Sequence, residues 1–192
     1  MTRRRFLALM AGTTVASGSL LAWGVEHHTR NFHTVEPGVL YRSGQTTQTG
    51  LKLVLSAYHI KTVVTLRTVR NPDRPFPDAW EEDVCAAHGA RHMRIVPRSW
   101  SVDKKGELPA EQVVKSFLDI VSDPTNQPVL VHCFAGIHRT GTMCALFRMA
   151  RQGWSADQAI AEMQSYGFKP GRSREEIERY LRNYHAENRA AA

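Results

Sequence analysis

The sequence predicts an α/β domain: a central, mainly parallel sheet flanked by helices. Three observations lead there. Short β-branched apolar runs alternate along the chain with longer stretches of helical period, the pattern of strands joined by crossover helices. Gly, Pro and polar clusters punctuate the joins between them. A length of 192 residues, 42% hydrophobic and 22% charged, suits one domain with a real core and no internal repeat.

The N-terminal stretch stands apart from that pattern. Arg3, Arg4 and Arg5 precede an uncharged run from Phe6 to Val25. The Thr-Arg-Arg-Arg-Phe-Leu run resembles a bacterial twin-arginine export signal, and a run of this length is about enough to cross a bilayer. Residues 1–28 are therefore expected to be an export signal or an N-terminal membrane anchor. No clean small-x-small site stands immediately before Glu26, so cleavage and anchoring through residues 6–25 both stay open. The positive-inside rule leaves the arginines in the cytoplasm. The rest is expected outside, in the periplasm or on the outer face of the cytoplasmic membrane.

Residues 33–188 are expected to form the domain. His33–Val35 and Val39–Arg42 read as short strands parted by the Pro37-Gly38 turn. "TTQTGLKLVLSAYHI" reads as a helix with Leu51, Leu55 and Tyr58 on one face. "KTVVTLR" (61–67) is a β-branched strand, and "TVRNPDRPFPD" is a proline-rich loop. A helix is expected from Ala79 to His88, stopped by Gly89. "RHMRIVP" is a weaker strand and "SWSVDKKGEL" a loop. Pro109 opens the next helix, whose apolar stripe is Val113, Val114, Phe117, Leu118 and Val121. "QPVLVH" is the most buried-looking strand. Three helices follow: Thr140–Gln152, Ser155–Ser165 with Ser155 as N-cap, and Ser173–Glu187, where Ser173 and Glu176 have capping-box spacing.

Sheets of this kind bind ligands beyond the carboxyl ends of their strands. The loops after Arg67, Pro97 and His132 share that edge. The third carries "VHCFAGIHRTG" (131–141), with a cysteine where strand turns into helix. Successive N–H groups of a tight loop make an anion cradle, and the helix N-terminus adds its positive dipole end. A cysteine at the start of the cradle feels the same field, which favours its thiolate. Arg139 closes the cradle with a planar fork suited to two phosphate oxygens. Nucleophile, cradle and clamp together describe phosphoryl transfer through a cysteinyl-phosphate.

His132-Cys133, five residues, then Arg139-Thr140-Gly141 resembles the H-C-x5-R-[ST]-G signature of the cysteine-based tyrosine and dual-specificity phosphatases. "LYRSGQ" (40–45), "KTVVTLR", "QPVLVHC" and "RQGWSADQAIAEMQSYGF" are similar to compact bacterial members of the dual-specificity group, over residues 38 to 170. The resemblance implies the dual-specificity phosphatase fold and a phosphomonoester hydrolase with no cofactor. It implies Cys133 as nucleophile, Arg139 as clamp, and the backbone N–H groups of Phe134, Ala135, Gly136, Ile137, His138 and Arg139 as phosphate ligands. Thr140 would bond the departing thiolate, His132 would orient the loop from beneath, and His138 would sit at its rim or simply in solvent. A general acid is implied on a neighbouring loop. Asp103, thirty residues before Cys133, is the expected one, with Asp73 its rival on the loop after Arg67. Asp119 faces away between apolar helix positions, and Asp123 lies at that helix's end.

Other readings of these residues fare worse. Structural zinc sites want four ligands at other spacings than His132, Cys133 and His138 provide, so no metal is expected. "GIHRTGT" lacks the lysine of a nucleotide P-loop. Cys85, Cys133 and Cys144 cannot form a disulfide framework, and Cys85 and Cys144 are expected in the core. Of the net charge of +7, +3 belongs to residues 1–30 and the remaining excess of four is modest, and no basic stripe with stacking aromatics argues for nucleic acid. The partner expected is a phosphorylated protein or small phosphoester. With no lysine in the cradle, singly phosphorylated tyrosine-like esters are expected to outdo polyphosphorylated inositols. A lipid or inositol phosphate enzyme and a non-catalytic phospho-ligand binder are the alternatives.

Overall fold

The computed structural model describes residues 28–69, 71, 73–169, 171 and 174–184. The expected signal or anchor lies outside the described residues as far as residue 27, and so does Ser173 with its capping box. In chain order the elements are β1 (His33–Glu36), β2 (Leu40–Ser43), α1 (Gln48–Ala57), β3 (Thr62–Thr65), α2 (Trp80–Ala87), β4 (Arg91–Arg94), α3 (Ala110–Ser122), β5 (Val129–His132), α4 (His138–Gln152), α5 (Ala156–Ser165) and α6 (Glu175–Asn183). The strands form one sheet in the order β1-β2-β5-β3-β4. β1 runs antiparallel to β2, and every other pairing is parallel.

Period-two alternation places the core on both faces of this sheet. In β5, Val129 and Val131 join one cluster with Val113, Phe117, Leu146 and Leu181, so α3, α4 and α6 cover that face. Leu130, between them, joins Leu51, Val54, Leu55 and Val84 under α1 and α2. β3 repeats the division, with Val64 on the first face and Val63 on the second. A strand buried on both faces needs a continuous apolar run, which "VLV" supplies.

Helix ends follow local chemistry. Thr47 caps α1 by accepting from the Gly50 N–H, and Ser155 caps α5 in a reciprocal box with Gln158. Gly89 ends the α2 segment at φ 70°, as its position after the helical stretch predicts. Tyr58 lies just past α1 as its C-cap, and its ring packs 4.9 Å from those of Phe32 and Tyr41. α4 starts at His138, two residues before the expected Thr140, because the Gly141 N–H already donates to the Ile137 carbonyl. That brings the helix dipole to the edge of the Cys133 loop. No helix among the described residues is long and apolar enough to cross a membrane.

Candidate active site

The loop from Cys133 to Ile137 leaves β5 at the sheet's carboxyl edge and enters α4. Its carbonyls are tied outward one after another. Phe134 O accepts from the Gln45 N–H at 2.9 Å. Ala135 O and Gly136 O lie 3.5 and 3.4 Å from Asn31 Nδ2, and Gly136 O also accepts from Arg42 Nη2 at 2.6 Å. A trans peptide holds its C=O and N–H antiparallel. Fixing these three carbonyls therefore turns the N–H groups of Ala135, Gly136 and Ile137 the opposite way, into the loop. No N–H from Phe134 to Arg139 is used in a turn or loop hydrogen bond among the described residues. With the first donors of α4 they form a ring able to hold an anion.

The backbones meet without side chains between them. A Cβ on Gly136 would lie 2.5 Å from Gly44 N, and one on Gly44 would lie 2.9 Å from Phe134 O. Gly136 also has φ +72°, a conformation that disfavours any other residue. Arg42 is 1% exposed and its guanidinium stacks 4.2 Å from the Tyr166 ring. The loop thus rests on a buried arginine.

Cys133 is buried at the start of the cradle. Arg139 is exposed, and its Nη1 donates to the Leu66 carbonyl at 3.1 Å, which fixes its fork against the end of β3. The Thr140 hydroxyl, expected on the thiolate, donates in this structure to the Ser43 carbonyl at 3.5 Å. His138 sits half-buried at the rim, edge-on to Phe168 at 5.6 Å. Burial first, then Arg174 and Arg139, hold it below the usual histidine range. Phe134 is 58% exposed, with the guanidiniums of Arg30 and Arg67 4.8 and 5.0 Å from its ring centroid. Among the described residues, no carboxylate comes within ion-pair distance of Arg30, Arg67 or Arg139.

Behind the cradle lies a buried acid. Glu81 of α2 is 1% exposed, with Oε2 2.9 Å from His132 Nε2 and 3.4 Å from His92 Nε2. The 2.9 Å contact with His132 lies off the line of a well-directed hydrogen bond. Gln45 Nε2 donates to Glu81 Oε1 at 2.5 Å, and Gln45 Oε1 accepts from Arg67 at 2.9 Å. Burial alone would raise the Glu81 carboxyl, but His132 and His92 outweigh it and pull it down to about 2. Beside it, Asp78 is paired with Arg94 and accepts from Thr65. Asp78, Glu81 and His92 bring ligand atoms within 4.8 Å of one another, but both carboxylates already face cationic or N–H partners. That makes the group an ion-pair network.

The candidate acids lie on the loops expected for them. Asp103 is exposed, and its Oδ1 accepts from the N–H groups of Lys105 and Glu107, while Oδ2 takes no hydrogen bond among the described residues. Asp73 is exposed on the loop after β3. Asp119 faces outward and pairs with Lys115. Cys85 and Cys144 are buried and unpaired, and burial raises them to about 12 and about 11.

With this geometry in view, residues 23–180 match the family described as PTP-NADK, "DSP-PTPase phosphatase fused to NAD+ Kinase". The chain belongs to this family. The dual specificity protein phosphatase TpbA of Pseudomonas aeruginosa is 30% identical over 138 residues, which is 72% of this chain and 55% of TpbA. The inositol diphosphatase DSP1 of Oryza sativa subsp. japonica is 31% identical over 140 residues, 71% of this chain and 56% of DSP1. The chain thus spans about half the length of these curated relatives. Among solved structures, TpbA in complex with pTyr superposes with a TM-score of 0.62 at 25% identity, covering 84% of this chain and 89% of that one. The catalytic core of SIW14 from Saccharomyces cerevisiae superposes with a TM-score of 0.66 at 22% identity, covering 85% and 91%. The fold is that of the dual-specificity phosphatases, as the signature implied.

Sequence reasoning missed the supports of the Cys133 loop: Asn31, Arg42, Gln45 and Glu81. "LYRSGQ" marked two of them as part of a resemblance, without giving either a task. Asn31 and Glu81 carried no signal in the sequence.

Proposed function

We propose that this chain hydrolyses phosphomonoesters through a cysteinyl-phosphate, with phosphotyrosine-like esters as substrates. The observation that carries the reading is the outward anchoring of three consecutive carbonyls, which aims the loop's N–H groups at one point beside Cys133 and Arg139. In the first step the Cys133 thiolate attacks phosphorus, the P–O ester bond breaks, and the leaving oxygen takes a proton from Asp103. Water then attacks phosphorus while the Asp103 carboxylate takes its proton, the P–S bond breaks to return the Cys133 thiolate, and phosphate leaves. N–H groups and the Arg139 fork stabilise the charge on the equatorial oxygens in both steps. Asp103 is supported by its place on the loop after β4 and by an Oδ2 that takes no hydrogen bond among the described residues.

Vanadate-sensitive release of phosphate from an aryl phosphate, with a chelator present, tests the reading. Binding without turnover would instead make the chain a phospho-ligand binder. Asp103→Asn should lower kcat by about 10²–10⁴ on a phenyl or alkyl phosphate and by less on a more acidic leaving group. If Asp73→Asn shows that pattern instead, the acid lies on the earlier loop. A second substrate reading has its own observation: Arg30, Arg67 and Arg139 at the mouth, with no carboxylate partner among the described residues, suit a second anionic group. A tenfold preference in kcat/KM for a polyphosphorylated inositol would establish it over the tyrosine-like ester.

Export is proposed as well, on the arginine-led uncharged run of residues 3–25. A reporter active only in the cytoplasm, fused after Ala192, should give no signal; a strong signal sinks the proposal.

A further inference from the structure

We propose that Glu81 is a positioning residue for this chemistry, acting on Cys133 through His132. The inference rests on the phosphatase reading above. Glu81 sits on α2, far from the signature in sequence, yet its carboxylate is buried against the residue that precedes the nucleophile. His132 is the last residue of β5, held in register beside Ser43 and Thr65. Its ring is 3% exposed, and neither ring nitrogen has a directed hydrogen bond among the described residues. The Glu81 carboxylate is therefore the charged group that fixes where this imidazole stands.

The other oxygen of Glu81 reaches the cradle by a second route. It accepts from the Gln45 side chain, whose own backbone N–H holds the Phe134 carbonyl and whose amide oxygen holds Arg67 at the mouth. One carboxylate thus touches the base of the loop through His132 and its Phe134–Ala135 peptide through Gln45. A buried ionised carboxylate is costly to keep. Packing α2 on the sheet asks only for an apolar residue here, as Val84 and Cys85 supply on the same helix. Charge at this place is explained by what it holds.

The test is a double-mutant cycle on Glu81→Gln and His132→Asn, read by kcat and KM on p-nitrophenyl phosphate. A parallel readout, independent of turnover, is the rate of Cys133 alkylation by iodoacetate, followed by mass spectrometry. Misplacing a reacting group by a fraction of its bond reach costs on the order of 10- to 100-fold. Glu81→Gln should lower kcat by about that much with KM changed less than about twofold, and should slow alkylation as well. If Glu81 acts through His132, the double variant is no worse than the worse single one. Losses that multiply in the double variant, or a Glu81→Gln protein with wild-type kcat and alkylation, overturn the proposal. Should Glu81→Gln fail to fold, His132→Asn alone carries the test by cutting the route through the imidazole; unchanged kcat and alkylation there also overturn it. A wild-type protein that releases no phosphate defeats the phosphatase reading instead, and alkylation still decides the role of Glu81.

Discussion

Replacing Gly136 by alanine should collapse the cradle, and the size of the effect follows from two separable costs. The first is conformational. Gly136 has φ +72°, and an L side chain in that left-handed region costs about 1–2 kcal/mol. The second is steric. The new Cβ would lie 2.5 Å from Gly44 N and 2.7 Å from both the carbon and the oxygen of the Ser43 carbonyl. These are backbone atoms, so no rotamer change relieves the contact, and the loop must part from the end of β2. Overpacking of this kind costs about 1–3 kcal/mol, for a sum of roughly 2–5 kcal/mol. Gly153→Ala is the internal control: its φ is +71° and nothing lies within 4 Å of the added Cβ, so it bears the conformational cost alone. Urea unfolding of both variants isolates the steric part by difference. Inorganic phosphate affinity and kcat should fall steeply in Gly136→Ala and stay near wild type in Gly153→Ala. Equal stability losses, with turnover retained in Gly136→Ala, would show that close backbone packing does not hold the cradle.

The other predictions draw on the same site. Cys133→Ser should abolish turnover on every substrate while phosphate affinity stays within about tenfold, because the N–H ring and Arg139 remain; loss of phosphate binding, seen by calorimetry, would count against the cradle. At pH 7.5 only Cys133 should react rapidly with a thiol reagent. Burial keeps Cys144 and Cys85 protonated, raising them to about 11 and about 12, so native protein should take one label quickly and denatured protein three. The Glu81 carboxyl is lowered from 4.5 to about 2. A depressed acid contributes stability that is complete above its unfolded value and lost as pH falls through its folded one. Wild type should therefore lose on the order of 3 kcal/mol between about pH 4.5 and pH 2 from this group. Glu81→Gln should flatten that slope in urea titrations at each pH.

Much of the fold was legible because its signals are local. The run "VLV" before the cysteine, the β-branched run "TVVT" and Gly89 at the end of the helical stretch each carry their meaning within a few residues. The candidate nucleophile and clamp could be proposed for the same reason, since Cys133 and Arg139 stand close in sequence at one strand-to-helix join. Helix limits were read less well where the helix begins inside a functional loop: His138 and Arg139 look like loop residues, yet the Ile137 carbonyl already accepts the first helical bond. Least legible were the supports. Arg42 and Asn31 reach the loop from 94 and 104 residues away, and Glu81 reaches His132 from another helix. Such partners appear only when strand order and register are known.

Register is what joins these distant pieces into one site. β2 runs parallel to β5 with Ser43 opposite His132, so both strands end at the same edge and at the same height. The next residues, Gly44 and Gln45 on one side and Cys133 and Phe134 on the other, must then meet. Gly44 meets the loop with no side chain in the way, and Gln45 gives its N–H to the Phe134 carbonyl. β3 lies on the other flank of β5 with Thr65 opposite the same His132. Its following residues, Leu66 and Arg67, accordingly hold Arg139 and face Phe134. A slip of one residue in the β2–β5 pairing would turn Arg42 from beneath the loop to the opposite face of the sheet. It would unpair the carbonyls that aim the N–H groups, although the signature itself would be unchanged. The chemistry written in residues 132–141 therefore depends on β2 and β3 holding their alignment with β5. Substitutions that loosen the β2–β5 register should weaken phosphate binding before they unfold the chain.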